Sequence, residues 1–278
     1  MKLHTIDTGF FKLDGGAMFG VVPKTIWNKT NPADENNLCT WAMRCLLIEE
    51  GDRLILVDTG IGNKQDPKFF SHFYLHGNAT LESSLAALGF HKNDITDVFL
   101  THLHFDHCGG SIKKAGDKLV PSFKNAIYWS NERHWKWATE PNDREKASFL
   151  KENILPIQEN GQLKFIERSG AELLNFLSIK QVFGHTDAMM LPQINYKGRT
   201  IVFMADLLPS VAHIPVPYVM AYDMFPLTTL NEKKSFLSEA QRNDYILFFE
   251  HDPAIECCSL QMTEKGVRMK ESFRLSDL

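Results

Sequence analysis

The sequence lacks the features that mark several large functional classes. No window approaches the roughly 18 consecutive apolar residues of a membrane span. The apolar runs are short, as in Tyr245-Ile246-Leu247-Phe248-Phe249, so a membrane partner is not expected. The first residues, Met1 to Asp7, show no basic start, apolar stretch or small-residue cleavage site, and the expected location is cytoplasmic. The five cysteines, Cys39, Cys45, Cys108, Cys257 and Cys258, are odd in number and contain no CxxC spacing. That excludes a disulfide framework and a cysteine-built zinc knuckle. Blocks of one charge are also missing, since 30 basic and 34 acidic residues are interspersed for a formal net charge of −4. Without a basic stripe there is no footprint for a phosphate backbone, and nucleic acid is not an expected partner.

What is present is material for a large core: 278 residues, 44% of them hydrophobic, enough for one large domain or two small ones. Apolar periodicity predicts strands at residues 45–48, 53–57, 97–100, 126–129, 177–182, 200–204 and 245–249. Helices are predicted between them. Thr80 caps one that Gly89 stops, Ser130 caps one through Trp135, and Thr229 with Glu232 opens one that runs to about Arg242. No Pro/Gly/Ser linker separates the halves, so the expected organisation is a single α/β domain over 1–278 with two strand-rich lobes. Residues 14–37 are expected to form a long functional loop, because Gly15, Gly16, Gly20, Pro23, Pro32 and paired asparagines interrupt any periodicity. Its Met18, Phe19 and Trp27, with Phe105, either line a channel or belong to the core. The stretch 261–269 reads as a β-hairpin.

Eleven histidines are many for this length, and their placement carries the chemistry. Thr101-His102-Leu103-His104-Phe105-Asp106-His107 packs four potential ligands into six positions directly after a strand. In an extended chain, residues 102 and 104 project to one side and converge on one metal, while a turn after Phe105 carries Asp106 and His107 toward a second. Later strand ends each offer one more ligand: His185 in Gly184-His185-Thr186, Asp206 after Phe203-Met204-Ala205, and His251 after Phe249-Glu250. Another histidine, His134, lies outside this constellation.

With these residues in this order, the chain resembles the metallo-β-lactamase superfamily. The resemblance implies an αββα sandwich with the metal site at the seam of its two lobes. It implies one metal on His102, His104 and His185, another on Asp106, His107 and His251, and Asp206 bridging both. Asp58, in Leu56-Val57-Asp58-Thr59-Gly60, matches an early aspartate of the superfamily that orients a ligand histidine; the other reading is an aspartate capping a turn. Asp106 is also the expected proton carrier. Two zinc ions are the expected cofactors, with cobalt, manganese or iron compatible with the same ligands.

Two further stretches, Gly16 to Lys24 with Trp27, and Asp206 to Asp223, resemble the N-acyl-homoserine-lactone lactonases and their organophosphate-hydrolase relatives. The expected activity is opening of the lactone ring, with phosphotriester or aryl-ester hydrolysis on the same dimetal site as the alternative. The partner is then a small-molecule lactone or ester, and the resemblance points to a homodimer. One departure is the Pro209 found where these lactonases place a tyrosine, three residues after the bridging aspartate. His213 and Tyr222 are the candidates to contact substrate in its stead.

Overall fold

Strand-forming sequence is gathered into two large sheets. A computed structural model describes residues 1–168, 170 and 172–278 of the chain, which falls into two compact units. Unit 1 comprises Met1–Gly9 and Met43–Ala171; unit 2 comprises Phe10–Ala42 and Glu172–Leu278.

One sheet has the order β1-β2-β3-β4-β7-β8, built from β1 (Lys2–Asp14), β2 (Leu38–Glu50), β3 (Arg53–Val57), β4 (Asp97–Phe99), β7 (Ile127–Ser130) and β8 (Leu163–Phe165). A separate hairpin joins β5 (Ile112–Ala115) to β6 (Lys118–Pro121). Strands β3, β4, β7 and β8 run parallel to their neighbours in that order. The connections that parallel pairing demands include α3 (Pro67–Ser71), α4 (Leu81–Ala87), α5 (Phe105–Cys108), α6 (Glu132–Thr139) and α7 (Lys151–Glu159). The core of unit 1 lies between this sheet and its helices, where Leu56, Val98, Leu100 and Tyr128 meet Leu85, Trp135, Ile154 and Ile157.

Unit 2 contains the sheet β15-β14-β13-β12-β11-β10-β9, from β9 (Glu172–Leu174), β10 (Leu177–Val182), β11 (Met189–Tyr196), β12 (Arg199–Phe203), β13 (Ile246–Phe248), β14 (Cys257–Thr263) and β15 (Gly266–Phe273). All pairs are antiparallel except β12 with β13. That one parallel pair requires a crossover, supplied by α8 (Pro226–Arg242). The hairpin expected at 261–269 is β14–β15. No helix among the described residues is long and apolar enough to cross a membrane.

Several sequence expectations are corrected. The segment 14–37 is not one loop: β1 runs to Asp14, whose carboxylate caps α1 (Gly15–Phe19) through the Ala17 N–H, and α2 (Lys24–Trp27) follows. Met18, Phe19 and Trp27 are buried in unit 2, Phe19 stacking on Trp27 at a 5.3 Å centroid distance. Asn131 rather than Ser130 caps α6, accepting from the His134 N–H, because Ser130 still belongs to β7. Thr229 and Glu232 lie inside α8, which begins at Pro226. The fixed φ of proline favours that first helical position, and it overrides the apparent capping box. Thr80 caps α4 as expected, with Ser83 returning the bond.

Candidate metal centre

In unit 1, β3 and β4 end side by side, and the chain beyond each carries site residues. The Asp58 backbone has φ +58°, the left-handed region that few non-glycine residues other than Asn, Asp and His adopt. Its Oδ1 accepts from the Thr101 N–H at 2.8 Å and its Oδ2 from the Thr101 hydroxyl at 2.7 Å. Oδ2 also lies 3.2 Å from His107 Nδ1. The carboxylate thus caps the turn after β4 and lies against a histidine ring.

His102 and His104 project to one side, as their spacing predicts, with His102 Nε2 3.1 Å from His104 Nδ1. Two nitrogens bound at 2.0–2.1 Å to one tetrahedral ion stand about 3.3 Å apart, so this separation suits a shared cation. His107 follows on the short α5, its Nε2 3.7 Å from Asp106 Oδ2. Gly109 and Gly110 press the chain against the Asp58 loop: a Cβ on Gly109 would sit 2.1 Å from Ile61 O, and one on Gly110 2.2 Å from Thr59 O.

In unit 2, Asp206 follows Ala205, which has φ +40°. That costs a non-glycine residue on the order of 1–3 kcal/mol, strain typical of functional sites. The two carboxylate oxygens of Asp206 face different histidines: Oδ2 is 3.1 Å from His185 Nε2, and Oδ1 is 3.1 Å from His251 Nε2. Each oxygen of this carboxylate thus has its own imidazole partner. Burial alone pulls His185 toward the neutral form, but the carboxylates of Asp206 and Asp223 outweigh it and push its pKa up to about 10.

The far ring nitrogens are also engaged. His102 Nδ1 meets Thr101 Oγ1 at 3.1 Å, His104 Nε2 meets Glu145 Oε1 at 2.9 Å, and His185 Nδ1 meets Asp223 Oδ1 at 2.9 Å. His251 Nδ1 donates to Ala42 O at 2.7 Å. A histidine that binds a metal through one nitrogen characteristically donates the other to such an acceptor, which fixes its tautomer and raises its basicity. The donor set is all imidazole and carboxylate, the chemistry of catalytic rather than cysteine-rich structural sites.

Sequence reasoning missed three residues here. Glu145 and Asp223 are the buried acceptors behind His104 and His185. His134 is not a bystander: its Nε2 accepts from the Leu103 N–H at 2.9 Å, between the two paired histidines. Asp223 closes a stretch singled out for its lactonase likeness, whereas Glu145 sits in Asn142-Asp143-Arg144-Glu145 with no motif to mark it. His213 is 1% exposed. Its Nδ1 meets Ser210 Oγ at 2.8 Å, its Nε2 donates to Met18 O at 2.9 Å, and its face stacks on Phe19 at 4.7 Å. Both nitrogens are therefore committed to the chain and unavailable to a substrate, and burial holds its pKa down at about 3. Tyr222 is 38% exposed. Phe105 packs on Phe69 and Phe73.

The family model of the metallo-beta-lactamase superfamily matches residues 44–251. The chain belongs to the metallo-beta-lactamase superfamily. Its buried imidazole and carboxylate side chains suit a metal-dependent hydrolase. A probable metallo-hydrolase of Mycobacterium bovis is 40% identical over 73 residues, 23% of this chain and 24% of that protein. Among solved structures, a probable metal-dependent hydrolase from Staphylococcus aureus shares 28% identity, covers 98% of this chain and 96% of its own, and superposes with a TM-score of 0.89. The dizinc quorum-quenching lactonase AidC, in complex with a product, shares 22% identity over 98% of this chain and 95% of its own, with a TM-score of 0.80. The expected α/β fold of the metallo-β-lactamase type is thereby met.

Proposed function

We propose that the chain is a two-metal hydrolase that opens the lactone ring of N-acyl-homoserine lactones. His102, His104 and His185 would hold one ion and Asp106, His107 and His251 the other, with Asp206 available to both. The observation that carries the metal assignment is the Asp206 carboxylate, each of whose oxygens stands 3.1 Å from a different histidine. Zinc is the proposed metal, in keeping with the dizinc centre of AidC.

When bound, such a pair of cations supplies Lewis acidity and lowers the pKa of a water from about 15.7 toward roughly 7. The chain's own groups do the rest. Asp106 carries the proton from the attacking water to the departing alkoxide oxygen, help of a kind that contributes roughly 10²- to 10⁴-fold in rate. Asp58, Glu145 and Asp223 hold the imidazoles of His107, His104 and His185 from behind, so that the ligand lone pairs keep their aim. Tyr222 takes the substrate-facing place that Pro209 leaves without a hydroxyl.

The lactone reading is supported by the two stretches whose sequence resembles the lactonases, because the structure ties them together. Ala221 N donates to Ala17 O at 2.8 Å, and His213 donates to Met18 O. Gly20 approaches Val219 so closely that an added Cβ would lie 2.4 Å from its carbonyl oxygen. The test is proton release by the zinc-loaded protein given acyl-homoserine lactones of short and long chain, since each ring opening frees one carboxylic acid. Rapid release at low substrate concentration supports the reading, and none from metal-loaded protein overturns it.

A further inference from the structure

Glu145 is a carboxylate only 2% exposed, and a buried carboxylate is costly unless donors surround it. Its donors are arranged in a particular way. Oε1 takes His104 Nε2 at 2.9 Å, while Oε2 takes Trp137 Nε1 at 2.6 Å and Asn142 Nδ2 at 3.4 Å. The turn that presents it is itself pinned, because Asn142 Oδ1 accepts from the backbone N–H groups of Arg144 and Glu145 at 2.9 and 3.1 Å.

The same segment grips the histidine loop at two more points. Ser148 O accepts from the Phe105 N–H at 3.0 Å, and the Phe149 ring lies 4.8 Å from the His104 ring. Helix α6 completes the support, since His134 on it accepts from the Leu103 N–H and Trp137, three residues on, donates to Glu145. His104 is therefore fixed by its far nitrogen, with Nδ1 aimed toward His102 Nε2.

We propose that Glu145 is the positioning residue that sets the aim and basicity of His104 toward a divalent cation, and that Trp137, hydrogen-bonded to the same carboxylate, reports optically on metal binding. The inference rests on the reading of His104 as a metal ligand. A cation on Nδ1 polarises the Nε2–H, which draws electron density from Oε1 and changes the charge felt by the indole N–H on Oε2. The signal thus travels through two hydrogen bonds within one unit.

The test strips the full chain of metal and titrates it with Co²⁺ alone, following visible absorption and tryptophan emission. Glu145→Gln is expected to bind Co²⁺ about 10- to 100-fold more weakly with an altered absorption band, a ligand-field change that loss of packing alone would not produce. Trp137→Phe is expected to lose the metal-dependent emission change, which Trp129→Phe, altered at an indole bonded to Asp97, keeps. Wild-type affinity and absorption in Glu145→Gln, or a full emission response in Trp137→Phe, overturns the inference while leaving the metal centre standing. Failure of the unaltered protein to bind Co²⁺ at all overturns the metal-ligand reading, and this inference with it.

Discussion

His185 Nδ1 lies 2.9 Å from Asp223 Oδ1, so the histidine that faces Asp206 with one nitrogen is gripped by a second carboxylate through the other. Asp223 Oδ2 also accepts from the Met220 N–H at 3.2 Å, which fixes the carboxylate to its own turn. Asp223→Asn keeps the shape and removes the charge, and is expected to weaken zinc binding about 10- to 100-fold. Competition with a chromophoric chelator measures this; unchanged affinity would show that Asp223 does not tune the site.

Gly184 lets the chain before His185 lie against α8. A Cβ there would meet Thr229 Oγ1 at 2.2 Å and Thr229 N at 2.3 Å, backbone that cannot move aside cheaply. Glu232 also holds this turn, accepting from the Phe183 and Gly184 N–H groups at 2.7 and 3.0 Å. Gly184→Ala is expected to cost at least about 1–3 kcal/mol and to weaken metal binding as His185 shifts. Denaturant unfolding and a zinc titration on the same variant check both halves.

The candidate ligands are legible because they cluster in sequence or end apolar strands: His102, His104, Asp106 and His107 occupy one short run after β4. Their supports were not legible, since the partners are distant along the chain. Glu145 is 41 positions from His104, Asp223 is 38 from His185, and His134 is 31 from Leu103. No local periodicity marks a residue whose role exists only after folding. Boundaries erred where two local signals competed, as when Pro226 rather than Thr229 opened α8. Parallel strands β3 and β4 read clearly because strands covered on both faces are apolar throughout. The segment 14–37 misled because its glycines suit close packing as well as turns: Gly15 admits Trp27, whose ring would lie 2.3 Å from an added Cβ.

His213 gives stability a pH dependence of known sign. Burial holds its folded-state pKa at about 3, against an ordinary 6.5. Between those values the unfolded chain binds a proton that the folded chain refuses, so stability is full above pH 6.5 and falls as pH drops toward 3. His213→Gln removes this contribution. It is expected to be less stable at pH 7 by about 1–3 kcal/mol, yet to lose less stability than the unaltered protein between pH 7 and 4.5. Equal losses in unfolding midpoint would contradict the assignment.

Asp97, at the start of β4, is buried and takes Arg53 Nε at 2.7 Å and Nη2 at 2.6 Å, with Trp129 Nε1 at 2.8 Å. Arg53 itself is partly exposed, which screens the pair. Arg53→Met is therefore expected to cost about 1–3 kcal/mol through an under-satisfied carboxylate. Because the pair ties β3 to β4 at the ends opposite Asp58 and Thr101, zinc affinity should change little. A large loss of affinity in a folded variant would mean that the parallel strands transmit strain to the site.

The central claim is that Asp206 is shared by two cations, and metal content per chain tests it most directly. Protein reconstituted with zinc and freed of excess metal is analysed by elemental mass spectrometry beside Asp206→Ala. The account predicts two zinc ions per chain in the unaltered protein and at most one in the variant. A single ion in the unaltered protein, or two retained in Asp206→Ala, would contradict it.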